Sequence, residues 1–297
     1  MIIKNRSEIL FLYDVKDANP NGDPLEENKP RIDEETGVNI VTDVRLKRTI
    51  RDYLDSIGET IFIKEVREEN GKLKTKEERL EELEIKKGED LLKCIDVRLF
   101  GATVAVKNNT ITFTGPVQFR FGRSLHKVYP KLIKGTTVMP SDKEKKQGTF
   151  TEYWIVPYSL IAFYGIINEN AAKTTKLTEE DVKKLIEGMW NGTKNLISRS
   201  KVGHTPRLLI KVNYKEKNYH IGDLDKALKL ISDIEDEKIR DVKDFKLDLT
   251  ELIDLLKENK DKIESIEYIW DRRLKLTYNG KDFDFSDVEL PFREISL

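Results

Sequence analysis

Residues 8–15 (EILFLYDV) form a short apolar run of strand length. The polar stretch that follows, 16–41, is broken by Pro20, Gly22, Pro24, Pro30 and Gly37 and reads as loop. The period then changes. Thr42 or Asp43 is placed to cap a helix running to about Ser56, with Leu46, Ile50, Tyr53, Leu54 and Ile57 on one face. Arg45, Lys47, Arg48 and Arg51 share the other face. Residues 64–90 are rich in Lys and Glu with few core-forming side chains, which predicts an exposed, partly mobile helical insertion. Residues 97–106 and 110–121 read as strands, and 134–149 is a polar, basic loop. The most apolar part, 151–167, predicts a strand pair or one bent strand broken near Pro157.

Thr178 with Asp181 three residues on is a capping box, and apolar spacing predicts a helix over 178–197. A strand follows at 206–214, then helical segments at 222–234 and 249–262 and short strands near 265–278 and 282–290. Up to residue 214 the order is strand, helix, strand, strand, helix, strand. That is the ferredoxin-like order, so the fold class is α+β with an RRM-like palm and long insertions.

Composition narrows the classes. Apolar residues are 38% and charged residues 36% of the 297-residue chain, enough to bury a sizeable core under a charged surface. The Lys/Glu-rich, Ala-poor usage leans towards a thermophile or an AT-rich genome. One cysteine, Cys94, excludes an intramolecular disulfide and a Cys-rich zinc site, and its apolar context predicts a buried thiol in a reducing cytoplasm. No 18-residue apolar run and no signal-peptide pattern is seen, so no membrane partner is expected. The net charge of −1 conceals an asymmetry. Residues 120–149 carry eight basic against two acidic residues, 194–217 seven against one, and 222–271 nine against sixteen. Such segments suit a polyanion groove with an acidic flank, and equally suit ordinary solvated charge.

The stretch DANPNGDPLEE begins like a calcium loop, with Asp17, Asn19, Asn21 and Gly22 in register. It fails at the twelfth position, which is Asn28 where a bidentate Glu is needed, and Pro20 and Pro24 lie inside it. Asp23 and Asp33 are the carboxylates a metal-dependent nuclease would use, but no third ligand or general base accompanies them. The basic helix face can track a phosphate backbone or simply be solvated. Residues 118–128 (QFRFGRSLHKV) interleave Phe119, Arg120, Phe121, Arg123, His126 and Lys127, a pattern for single-stranded RNA or for core phenylalanines with a basic outer face. Residues 198–207 place Arg199, Lys201 and His204 in a turn that can contact phosphate or merely connect. No P-loop, G-x-S-x-G, G-x-G-x-x-G or H-E-x-x-H occurs, and the three histidines have no ligand spacing, so neither cofactor nor metal is expected.

The segments NPNGDP, PRID and VTDVRLKRTIRDYL within 19–54 resemble the opening of the Cas-seven family of CRISPR-associated proteins (RAMP superfamily), most like its type I-B/I-C branch. RLFGA, TGPVQFRFGRSL, GTFTEYWIVPYSLIAFYG and SRSKVG follow in the family's order, so the resemblance covers about residues 5–215. It implies a right-hand-shaped, non-catalytic backbone subunit of Cascade. Copies would stack helically along one CRISPR RNA, beside other Cascade subunits, and present the guide for pairing with target DNA. The implied RNA-binding residues are Arg45, Lys47, Arg48 and Arg51, then Asn21, Gly22 and Arg31, then Arg123, Arg199 and Lys201. Arg120, His126, Lys127 and His204 complete the candidates from the basic segments. The implied division is a palm (1–57 plus 97–215), fingers (58–96) and a C-terminal extension (216–297), with the thumb at 134–149 or 198–206. The alternative is a type III-like ribonuclease cutting target RNA with Asp23 or Asp33.

Overall fold

The structure is a computed structural model that describes residues 1–106, 109–136 and 150–297. Most of the candidate thumb segment 134–149 therefore lies outside the described residues.

The first strand, β1 (Ser7–Ala18), is the middle of a nine-stranded sheet. It pairs antiparallel with the long strand Phe150–Ile167 on one side, Ser7 opposite Ile167, and with the return strand His204–Tyr214 on the other. Beyond the return strand come Ile263–Trp270 and Phe292–Glu294; beyond the long strand come Gly122–Lys127 and Val38–Val41. Val117–Phe119 and Lys131–Thr136 pair with the two ends of the long strand.

Both faces of this sheet are covered, which explains the unbroken apolar run in β1. Ile9, Phe11, Tyr13 and Val15 face a layer of two helices: α1 (Asp43–Ser56) and the capped helix Glu179–Lys194. Leu10 and Leu12 face the C-terminal segment, where Leu224, Phe245, Leu252 and Phe285 close a second core. The two buried carboxylates of β1 belong to that second face. Asp14 accepts hydrogen bonds from Tyr158 and Arg207, each at 2.7 Å, and Arg207 also pairs with Asp271. Burial pushes Asp14 upward against the pull of Arg207. Glu8 accepts from the hydroxyls of Tyr164 and Tyr214 and from the backbone N–H groups of Ile221 (2.9 Å) and Gly222 (2.8 Å).

The helix signals hold. Thr42 caps α1, and Thr178 and Asp181 form the capping box of the second helix. Several other expectations need correction. The long strand runs straight through Pro157, because the ladder with β1 skips Asp17, whose backbone turns to φ +49°. Residues Ile95–Phe100 are helical, stopped by Gly101 at φ +73°; the apolar residues of this short run face two cores at once, which hides the period. The hairpin Gly101–Val106/Asn109–Thr114 lies outside the central sheet and packs on the insertion. The insertion is not coreless: Phe62, Leu80, Ile85, Leu91, Cys94 and Val97 pack together, and Cys94 is buried as expected. The helix expected at 222–234 is a run of turns and a short strand, Lys229–Ile231, because pairing with Lys246–Asp248 overrides local propensity. No described helix is long and apolar enough to cross a membrane.

Candidate nucleic-acid interface

The N-terminus of α1 is where distant parts of the chain meet. The NPNGDP turn lies against it, fixed by Asn21, whose Oδ1 accepts from Thr42 N (2.8 Å) and Thr42 Oγ1 (2.9 Å). Thr42 Oγ1 in turn accepts from Arg45 N. Gly22 is required here by close approach, since a Cβ would sit 2.0 Å from Asn28 Oδ1. The SRSKVG loop closes on the same turn: Asn19 N donates to Ser200 O at 2.9 Å, and Lys16 N to Gly203 O at 3.1 Å. Lys201 Nζ donates to the carbonyl of Asn19 and, at 2.9 Å, to that of Pro20. The paired strands Lys131–Thr136 and Phe150–Ile155 complete the cluster. Arg199 stacks 4.2 Å over Tyr153, and Lys29 lies 5.6 Å from the centre of Trp154.

A groove runs along each side of α1. The front groove, about 780 Å³, is walled by Arg45, Arg48 and Arg51 on α1 and by Lys64, Lys74, Lys76 and Arg79 on the insertion. The half-exposed Ile63 and the outward Val44 give it apolar patches. The rear groove, about 470 Å³, lies between α1 and the segment after the second helix. It is bordered by Arg45, Thr49, Tyr53, Asn195, Ser198 and Lys201. Arg45 borders both. Its guanidinium donates to Thr49 Oγ1 at 3.0 Å, and desolvation draws it below its ordinary range. Burial, reinforced by Arg45, pushes the Lys201 ammonium down to about 7.

The other candidates divide sharply. Arg48 is exposed and, among the described residues, makes an i,i+4 pair with Asp52 at 2.7 Å. Lys47 turns away from both grooves to Asp43 (2.9 Å), Gln118 (3.0 Å) and the Phe100 ring. Arg51 is not on a solvated face: it is buried, bonded to Asp96 at 3.0 Å and stacked on Phe100. Arg31 pairs with Asp23 at 2.7 Å and Arg123 with Asp33 at 3.3 Å. Arg120 lies on the opposite face of the sheet, over Tyr164 and paired with Asp223. Lys127 is exposed at the end of its strand, its N–H donating to Asp236. The histidines are interior groups. His126 accepts from Leu160 N and stacks on Tyr158, and burial lowers its pKa. His204 stacks on Tyr13, and burial and Lys201 push it to about 3.

The two candidate nuclease acids are thus each held by an arginine. Asp33 also accepts from Glu35 N, and although desolvation works upward, the bonds from Thr36, Glu35 and Arg123 hold it below the ordinary carboxylate range. Among the described residues, no three His, Cys, Asp or Glu gather where they could hold a metal ion. The front-groove cations of the insertion, Lys64, Lys74, Lys76 and Arg79, are not evident from sequence, because they sit in a run that reads as solvated charge.

A mixed α/β chain with a basic helix set between two open grooves presents an extended cationic surface of the kind that suits a polyanion. Residues 5–250 match the family model for CRISPR-associated protein Cas7, and the chain belongs to that family. A relative from Haloferax volcanii, CRISPR-associated protein Cas7, is 36% identical over 93% of this chain and 90% of its own length. Among solved structures, a chain of a CRISPR RNA-guided surveillance complex is similar with a TM-score of 0.54 and 15% identity, covering 93% of this chain and 95% of that one. A second, from a CRISPR RNA-guided surveillance complex described as pre-nicking, has a TM-score of 0.53 and 12% identity, covering 93% and 96%.

Proposed function

We propose that this protein is a non-catalytic backbone subunit of a type I Cascade surveillance complex, of the I-B/I-C branch, working in the cytoplasm. It binds CRISPR RNA along the phosphate backbone, stacks helically with further copies and with other Cascade subunits, and presents the guide for pairing with target DNA. The observation that carries this reading is the meeting of NPNGDP, α1 and SRSKVG around Arg45, between two cation-lined grooves. Family membership and the surveillance-complex neighbours agree with it. The pairing of Asp23 and Asp33 with arginines supports a turn-forming role for them over catalysis.

The palm is RRM-like on this reading. The order return strand, β1, long strand, then Gly122–Lys127 supports it, being the 4-1-3-2 order of a ferredoxin-like sheet. Residues 58–96 serve as fingers, 1–57 with 97–215 as palm, and 216–297 as an extension backing the sheet. The segment 198–206 is tied to β1 and the NPNGDP turn, which favours a groove wall there over a thumb. Arg45, Arg48, Arg123, Arg199 and Lys127 are the phosphate contacts we assign, with the insertion cations Lys64, Lys74 and Lys76.

The test is extraction and sizing of the nucleic acid that purifies with the protein, beside its mass distribution. The expected result is bound RNA and a ladder of oligomers. A monodisperse protein free of nucleic acid and without affinity for guide RNA would refute the reading.

A further inference from the structure

Lys201 occupies an unusual position for a basic residue in a proposed RNA groove. Two of its three ammonium donors are taken by backbone carbonyls of the same turn, those of Asn19 and Pro20. Its charged neighbour is Arg45, of like sign. A buried ammonium is costly to keep unless its hydrogen bonds are made, and here the backbone makes them. The bonds continue in one direction. The next residue, Asn21, holds Thr42 N and Oγ1, and Thr42 caps Arg45 N at 3.3 Å. A line of hydrogen bonds thus joins the SRSKVG loop to the first turn of α1 and ends at the backbone N–H of Arg45, whose guanidinium, bonded to Thr49 Oγ1, borders both grooves.

We propose that Lys201 is a positioning residue of the RNA interface: through the Asn19–Asn21 turn it fixes the start of α1 and the Arg45 guanidinium, and it is not itself a phosphate ligand. This rests on the RNA-binding reading above. It differs from that reading's simplest form, in which every basic residue at the groove meets its own phosphate.

Salt dependence separates the two arrangements, because each lost phosphate contact lowers the slope of log affinity against log salt by about one. The assay is titration of a fluorescently labelled single-stranded RNA with the nucleic-acid-stripped protein over a range of salt. Arg45→Met, Lys201→Met and Asn21→Ala are each expected to weaken binding about tenfold and to lower the slope by about one. The effect of Asn21→Ala is diagnostic, since it removes no charge. The Arg45→Met/Lys201→Met double variant is expected to lose no more slope than either single variant, because all act at one contact. A double variant whose slope falls by about two, or an Asn21→Ala slope equal to that of the unaltered protein, overturns the proposal. Thermal unfolding checks each variant; if Lys201→Met does not fold, Asn21→Ala carries the test. Unaltered protein that fails to bind RNA at all would overturn the RNA-binding reading together with this one, whereas normal binding with the wrong slopes overturns this one alone.

Discussion

Replacing Arg51 with methionine separates two roles that a basic residue on α1 can have. Arg51 Nε lies 3.0 Å from Asp96 Oδ2, and the two side chains are 10% and 0% exposed. Removing one partner of a buried pair costs about 3–5 kcal/mol, because the other charge stays behind unpaired. Asp96 would keep two donors, Phe62 N at 2.8 Å and Ile63 N at 3.0 Å. Methionine would keep much of the contact with Phe100. The expected loss is therefore at the low end, about 3 kcal/mol. Arg48→Met is the contrast: its pair with Asp52 is half exposed on both sides, so the loss should stay under about 0.5 kcal/mol. Urea unfolding of both variants measures stability, and RNA titration over a range of salt measures phosphate contacts. Arg51→Met should unfold early yet, while folded, bind with an unchanged salt slope. Arg48→Met should unfold normally and lose about one unit of slope. An Arg51→Met variant as stable as the parent but with a lowered slope would show that Arg51 faces RNA and not Asp96.

Three further outcomes are expected. Gly22→Ala forces a Cβ into Asn28 and should cost about 1–3 kcal/mol by unfolding while weakening RNA binding, because the turn that holds Thr42 must shift. Asp23→Asn and Asp33→Asn, like the unaltered complex, should leave complementary RNA intact in magnesium on a denaturing gel; regularly spaced cuts that Asp33→Asn abolishes would establish the ribonuclease alternative. Stability should fall as pH drops from about 6.5 towards about 3, because the unfolded chain takes up a proton that the buried His204 ring refuses. The group contributes fully above its unfolded pKa and loses at most about 1.4 kcal/mol per pH unit below it. His204→Gln should flatten that part of the difference curve; an unchanged curve would mean the ring is protonated in place.

The sequence made legible those elements whose local signals agree with their packing. Thr42 and the spacing of Leu46, Ile50 and Leu54 announce α1, and Thr178 with Asp181 announces the second helix. Misreadings came where one residue serves two partners. Ile95–Phe100 shares its apolar residues between two cores, and the charged Asp96 and Arg98 between them are tied to Arg51 and Asp181, so the helical period is masked. Residues 222–234 have helical spacing, but Ile221 and Gly222 are drawn to Glu8 and Lys229–Ile231 into a ladder. At the interface, residue type predicted basic neighbours of a groove but not their partners. Arg48 and Arg51 lie three residues apart on one helix, and only the distant Asp96 makes one of them a core group. The insertion cations went unseen for a related reason: a Lys/Glu run looks alike whether it faces water or lines a groove.

The four donors around Glu8 bear on how far this chain can be shortened. Two come from the sheet, Tyr164 and Tyr214, and two from the first residues of the C-terminal segment, Ile221 and Gly222. A version trimmed to end at residue 220 would strip half the ligation from a solvent-free carboxylate at the centre of the sheet and uncover Leu10 and Leu12 beside it. The last quarter of the chain is thus no detachable module. A minimal guide-binding fragment would need Glu8 and its apolar neighbours redesigned together, and any natural shortening of this region must carry a compensating change in β1.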